Sequence, residues 1–377
     1  MSPNLGPIGH VVPPLYPASV YAIPDLDTLD AIYNGESPGF IYARDGHPNA
    51  HQLAADLTAL ERGNWGVVTG SGMGAITAGL LALVSAGDRI VASDKLYGKT
   101  TKLLRQELTR FGVTTVFVDT SDLSAVEAAL ATPTKVLIVE TISNPLCRVP
   151  DLPALVALCR RVGAKLFVDN TFATPVLCRP LELGADLVME SLTKMIGGHS
   201  DVTLGFLTGT DAAIGATATS HVSTWGLAAN PFDCWLTLRS LETLDLRTRT
   251  ATANAAALAD WLVTRPGVSR VVYPSRPDHP DVKLAQQLLP HGCGHMLCFE
   301  LADRAAVNRF LRSAPGVPFC PSLGHAVTTC SHPDTTSHRY EAPEEKRRQG
   351  ITEGLVRLSV GCEPLTTIQT ELTKGLS

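Results

Sequence analysis

The chain has 377 residues, 45% of them hydrophobic, so it is long enough for two or three domains with a large core and is neither disordered nor fibrous. A formal charge of −5 without an extended Lys/Arg cluster argues against nucleic acid or an anionic membrane as principal partner and favours a small-molecule substrate. No apolar run approaches the roughly 18 residues needed to cross a bilayer, and MSPNLGPIGHVVPPLYP lacks the basic flank and apolar core of a signal peptide, so a cytoplasmic location is expected.

Residues 1–49, rich in Pro, Gly and Tyr with little periodicity, predict an extended arm that needs a neighbour to lie on. Within it Tyr42 and Arg44 stand two positions apart, on the same side of an extended strand. Leu53, Ala54, Leu57 and Leu60 then fall at helical spacing over 50–62, and a strand follows at 65–68. The turn Thr69-Gly-Ser71-Gly72-Met73-Gly-Ala75 opens a further helix to residue 84. Free N–H groups at such a helix start suit a phosphate.

A strand at 89–92 leads to Leu96-Tyr97-Gly98-Lys99 and a helix reaching Phe111. Next come a strand at 114–118, a helix at 123–131, and a strand at 135–139 that exits through Glu140-Thr-Ile-Ser-Asn144-Pro145. The helix 152–162 and the strand 165–169, ending in Asp169, precede an apolar run at 185–189 and then Ser191-Leu-Thr193-Lys194. Unbroken β-branched strands alternating with amphipathic helices predict an α/β unit with a mostly parallel sheet covered on both faces. Ligands bind beyond the carboxyl ends of such strands, where Ser71, Tyr97, Asn144, Asp169 and Ser191 all fall.

After a short strand at 206–208, a long helix at 230–249 is expected to carry the chain out of this unit. A helix at 251–264, strands at 268–273 and 294–301, a helix at 305–314 and an apolar stretch at 355–360 suggest a smaller α+β domain. The expected division is an arm, 1–49, a large domain, 50–245, and a C-terminal domain, 246–377. Nine cysteines without a C-x-x-C pair read as small core residues, and no metal site is expected.

A lysine directly behind two hydroxyls can hold an aldehyde cofactor as a Schiff base. Pyridoxal phosphate (PLP) matches the set: Lys194 for the aldehyde, Ser191, Thr193, Gly72 and Met73 for the phosphate, Asp169 for the pyridinium nitrogen, and Tyr97 to stack on the ring and act as acid or base. A dinucleotide-binding oxidoreductase is the competing reading, but Gly70-Ser-Gly-Met-Gly-Ala-Ile lacks the G-x-G-x-x-G spacing.

The ordered blocks Tyr42-x-Arg44, Gly70-Ser-Gly-Met73, Leu96-Tyr-Gly98, Glu140-Thr with Asn144-Pro145, Val168-Asp-Asn-Thr171, Ser191-x-Thr-Lys194, Gly198-His-Ser-Asp201, Ser322-Leu-Gly324 and Val356-Arg-Leu-Ser-Val-Gly361 resemble the Cys/Met-metabolism family of PLP enzymes. That resemblance implies the aspartate-aminotransferase-like fold (fold type I) and a homotetramer, a dimer of dimers with shared active sites. It assigns Tyr42 and Arg44 to the phosphate of a neighbouring subunit's cofactor, Asn144 to the cofactor ring oxygen or substrate carboxylate, and Arg357, with Ser322 beside it, to that carboxylate. The implied activity is γ-elimination on a γ-substituted L-amino acid, with β-elimination as a rival and γ-replacement of an activated homoserine by a thiol as the alternative. Lys99 stands where methionine γ-lyases often carry cysteine, and His325-Ala-Val327 where many relatives carry an acid. Specificity is therefore expected from Lys99, Val327, His325, His338 and Arg339.

Overall fold

The computed structural model describes residues 11–377. Seven strands form the main sheet: β1 (Trp65–Thr69), β2 (Arg89–Ser93), β3 (Thr114–Val118), β4 (Val136–Glu140), β5 (Lys165–Asp169), β6 (Leu187–Glu190) and β7 (Gly205–Gly209). Their order is β1-β7-β6-β5-β4-β2-β3, with β7 antiparallel to both neighbours and the other pairs parallel. Every residue of β4, β6 and β7 is buried, as helices on both faces of a parallel sheet require. The carboxyl ends of β1, β2, β4, β5 and β6 thus share one edge. The smaller sheet is antiparallel, in the order β10 (Thr329–Ser331), β11 (Leu355–Ser359), β9 (Met296–Glu300), β8 (Arg270–Val272).

One apolar core joins the two sheets. It runs from Leu137, Leu166 and Val188 of the large sheet through Ala255, Leu258 and Leu262 of the helix Leu244–Val263 to Leu297, Phe299 and Leu358 of the small one. The expected junction at residues 245–246 lies in the first turn of that helix. Arg148 reinforces the contact, gripping Asp281 through Nε (2.6 Å) and Nη2 (2.9 Å) while the Val149 N–H donates to the same carboxylate.

Several local expectations need correction. The helix expected at 230–249 is two helices, Pro231–Leu241 and Leu244–Val263, and the second replaces the one expected to begin at 251. Arg247 stabilises the break: Nη2 donates to the Ser240 carbonyl (2.8 Å) and Nε to Thr243 Oγ1 (3.2 Å), filling acceptors that the interrupted helix leaves open. The helix expected from residue 98 to 111 contains a π-helical turn, Leu103–Glu107. The helices Ala212–Thr224 and Val282–Leu288, the short helices Thr174–Leu177 and Pro343–Arg348, and β10 were not anticipated, nor was Leu365–Leu376, although its Leu365, Ile368 and Leu372 fall at helical spacing.

The arm is not wholly extended. It contains the helix Leu26–Tyr33, capped by Asp25, which accepts from the Thr28 N–H (2.7 Å), and none of that helix is buried within this chain. Its first ten residues lie outside the described residues. Among the described residues, no helix is long and apolar enough to cross a membrane.

Candidate active site

At the shared strand edge lies a cavity of about 550 Å³, lined by Ser71, Gly72, Met73, Tyr97, Asn144, Asp169, Ser191, Thr193, Lys194 and Arg357, among others. Residues spread over almost 290 positions meet there: those of the large domain lie at or just past the ends of strands of the main sheet, and Arg357 reaches in from the middle of β11. Ser71, just beyond β1, caps the helix Gly72–Leu83 by accepting the Gly74 N–H (3.1 Å), which directs the first free N–H groups at the cavity. A Cβ added to Gly72 would sit 2.8 Å from Ser191 Cβ and 2.9 Å from Ser191 Oγ. Glycine therefore keeps a backbone-lined recess open between the helix start and Ser191. Gly72→Ala is accordingly expected to weaken cofactor retention roughly tenfold or more, because one close contact replaces part of the anion recess. Equilibrium dialysis of the released cofactor checks this, and unchanged retention would remove the recess from the phosphate site.

Lys194 follows β6 and is largely enclosed. Its Nζ donates to Ser322 Oγ (3.3 Å). Burial, and then the positive charge of Arg357, lower its pKa, which favours the free amine that an aldehyde requires. Asp169, the last residue of β5, accepts from the Thr171 N–H (3.0 Å) and is attracted by Lys194, yet burial still raises its pKa. A carboxylate held in this way needs a positive partner, and a protonated ring nitrogen supplies one.

Arg357, on β11, is 3% exposed. Nη1 donates to Asn144 Oδ1 (2.7 Å) and Nη2 to the Ser322 carbonyl (3.1 Å), while Nε has no partner. Among the described residues no carboxylate forms an ion pair with it. A buried guanidinium with one donor unspent and no counter-ion has the chemistry to receive a carboxylate. Burial, foremost, raises the Tyr97 pKa, which favours the protonated hydroxyl.

Glu140 was quoted in the sequence only as part of a block, and the structure gives it a place. At the end of β4 it accepts the Tyr97 N–H on Oε1 (2.5 Å) and the Asn144 N–H on Oε2 (3.2 Å), tying two cavity loops together. A carboxylate closing an apolar strand, as in Asp169, was the signal available for it.

Thr193 lines the cavity beside Lys194. Its hydroxyl exchanges hydrogen bonds with the Leu204 backbone, donating to the carbonyl (3.2 Å) and accepting from the N–H (3.1 Å), and so pins the lysine turn. Ser322 borders the site through Lys194 and Arg357. Tyr42 and Arg44 do not line this chain's cavity; they are exposed on the arm, with the guanidinium 5.0 Å from the tyrosine ring centroid.

Of the expected specificity residues, only Lys99 faces ligand space, in a second cavity of about 520 Å³ that shares Tyr97, Thr336 and Ser337 with the first. His325 is buried against Ser200, and His338 is buried against Ser337 (2.8 Å) with its pKa lowered to about 4, chiefly by burial. Arg339 and Val327 are exposed and line neither cavity. These four positions were reachable by sequence comparison of motifs, but which way they turn is set by packing.

The largely enclosed lysine, the facing carboxylate and the helix-start anion recess at the edge of this sheet, with the spare guanidinium from the smaller sheet, define a pyridoxal-phosphate-dependent enzyme of the aspartate-aminotransferase-like fold. The model of the family described as Cys/Met metabolism PLP-dependent enzyme matches residues 3–377. L-methionine gamma-lyase of Pseudomonas putida is 37% identical over 370 residues, 98% of this chain and 93% of that protein. O-succinylhomoserine sulfhydrylase of Pseudomonas aeruginosa is 37% identical, over 96% of this chain and 90% of its own length. The crystal structure of cystathionine gamma synthase from Xanthomonas oryzae pv. oryzae in complex with cystathionine matches with a TM-score of 0.92 at 35% identity, covering 97% of this chain and 92% of that one. The chain belongs to the Cys/Met-metabolism family of PLP-dependent enzymes, which comprises lyases and transferases, and the expected fold class and cofactor stand.

Proposed function

We propose that the chain is a lyase that performs γ-elimination on a γ-substituted L-amino acid, releasing the protonated leaving group and an enamine that one water hydrolyses, through its imine form, to a 2-oxo acid and ammonia. The observation that carries this reading is that Lys194, Arg357 and Tyr97 converge on one cavity: a base for the Cα proton, a receptor for the carboxylate and an acid for the far end of the substrate. When bound, PLP supplies an electron sink that acidifies the hydrogens on Cα and then on Cβ.

The helix start at Gly72 and Met73, with Ser71 and Ser191, would hold the phosphate, and Asp169 the protonated ring nitrogen. Arg357, oriented by Asn144 and the Ser322 carbonyl, clamps the substrate carboxylate and so fixes the direction of the Cα–H bond. Lys194 Nζ, freed by the incoming amine, takes the Cα proton, and Ser322 Oγ steadies it. Tyr97 Oη delivers a proton to the group leaving Cγ.

γ-Replacement is the second reading, favoured by the cavity beyond Tyr97, where Lys99, Lys102 and Arg105 line one wall and give an incoming nucleophile space next to the leaving group. With either reading goes a cytoplasmic dimer of dimers, whose exposed arm would carry Tyr42 and Arg44 to a neighbouring subunit's cofactor phosphate. Incubation with O-acetylhomoserine, with and without cysteine, separates the two readings. Elimination gives 2-oxobutanoate and ammonia in both mixtures. Rapid thioether formation with no 2-oxo acid would make the chain a transferase.

A further inference from the structure

Behind the strand edge, outside the cavity, two glutamates are buried face to face. Glu61 closes the helix Pro48–Glu61 and Glu190 closes β6; both are fully buried, and their carboxyls are immediate neighbours. Glu61 Oε1 accepts from Asn170 Nδ2 (2.9 Å); Glu61 Oε2 and both Glu190 oxygens make no hydrogen bond of good geometry, although the Asn170 amide also lies near enough to lower the Glu190 pKa. The nearest arginines are committed elsewhere: Arg62 and Arg179 pair with Glu182 at 3.7 and 3.8 Å, and Arg179 Nε donates to the Leu60 carbonyl (2.9 Å). Among the described residues, neither glutamate forms an ion pair. Two carboxylates cannot both remain charged at close range in such surroundings, and three buried oxygens without a well-formed hydrogen bond favour a proton between them.

We propose that Glu61 and Glu190 share a proton as a buried acid–carboxylate pair, and that this pair is a positioning device for the strand ends which carry the active site. Glu61 holds Asn170, the residue after Asp169, and Asn170 Oδ1 in turn accepts from Thr141 Oγ1 (2.7 Å) beyond β4. Glu190 immediately precedes Ser191. The shared proton therefore clamps the helix 48–61 to the ends of β5 and β6. The charged and titratable groups facing the pair are Asp169, Cys178, Arg179 and Glu182. Of these only Arg179 is cationic; it lowers the Glu61 pKa more than Glu182 raises it, yet burial outweighs both.

The pair makes stability depend on pH with a definite sign. Burial raises Glu61 to about 7, against the opposing pull of its hydrogen-bonded contacts with Glu190 and Asn170, while burial first and then the Glu61 carboxyl raise Glu190 well above its ordinary value; both ionise in the ordinary carboxylate range once unfolded. Groups raised in the folded state contribute fully at acidic pH and lose that contribution as pH climbs through about 7 and beyond.

Melting of the holoenzyme between about pH 6 and about pH 9 tests the idea, because the Gln side chain donates an N–H where the acid needs a proton. For Glu190→Gln, Tm should fall less steeply with pH than in the wild type, so that the variant gains relative stability toward alkaline pH. Its infrared difference spectrum should show the loss of one protonated-acid carbonyl band. Glu61→Gln should give the same pair of results from the other side of the contact. Parallel Tm–pH curves, or a difference spectrum without a lost acid band, would overturn the proposal. So would failure of both variants to fold at acidic pH, where glutamine best imitates the protonated acid. Neither readout depends on substrate turnover, so failure here leaves the proposed reaction untouched.

Discussion

Lys194→Ala is expected to lower kcat by at least roughly 10³-fold and to remove the visible absorption that PLP acquires on binding. Two roles disappear together. The amine that captures the aldehyde is lost, and so is the base for the Cα proton, a contribution that by itself is typically worth about 10²- to 10⁴-fold. The effect should not come from unfolding, since alanine leaves the Thr193 bonds to Leu204 and the packing of Gly324 against the Lys194 backbone in place. Far-UV circular dichroism matched to wild type, alongside single-turnover kinetics and an absorption spectrum, separates these possibilities. A variant that keeps both the visible band and more than a tenth of the wild-type rate would show that Lys194 is not the cofactor lysine.

Arg357→Met is expected to lower kcat/KM by about 10²-fold or more, which corresponds to the roughly 2–5 kcal/mol associated with removing one partner of a buried charge-assisted contact. Methionine approximately preserves volume, so the loss is of charge and donors rather than of packing. A second readout distinguishes an active-site arginine from a structural one. The Arg357 charge disfavours protonation of Lys194, so the neutral side chain should raise the Lys194 pKa. The rate at which apoenzyme captures PLP depends on the free amine and should therefore shift to higher pH in the variant. Arg357→Lys should return that profile toward wild type while recovering little of kcat/KM, because an ammonium lacks the two-pronged grip of a guanidinium. Unchanged kcat/KM and an unshifted capture profile would together exclude Arg357 from the site.

Most strands and the helices between them were legible because their signals are local. The runs Thr114–Val118 and Lys165–Asp169 lie where their β-branched and apolar residues predict, and the helix Leu152–Val162 has its Asp151 cap and Gly163 stop in sequence. The helix Ala212–Thr224 was missed because its Ala, Gly and Thr residues give no apolar stripe; it packs through smallness, with Gly215 against the Trp65 ring. The break before Leu244 was missed for a different reason. It depends on Arg247 turning back onto Ser240 and on the carbonyls of Met195 and Ile196, about 50 residues away.

The sequence by itself determined that a lysine, an aspartate, a tyrosine and a glycine-rich helix start would meet at one sheet edge. Strand direction and alternation are local properties, and every parallel strand must deliver its carboxyl end to the same side. Only the tertiary structure decided how those groups are tuned. Asn144 and Arg357 are 213 residues apart and become partners at 2.7 Å; Glu140 joins the Tyr97 and Asn144 loops; Thr193 turns its hydroxyl to Leu204; and Glu61 meets Glu190 with no cation between them. Each of these follows from burial and long-range contact, which fix a side chain's direction and its proton affinity but leave no periodic trace along the chain.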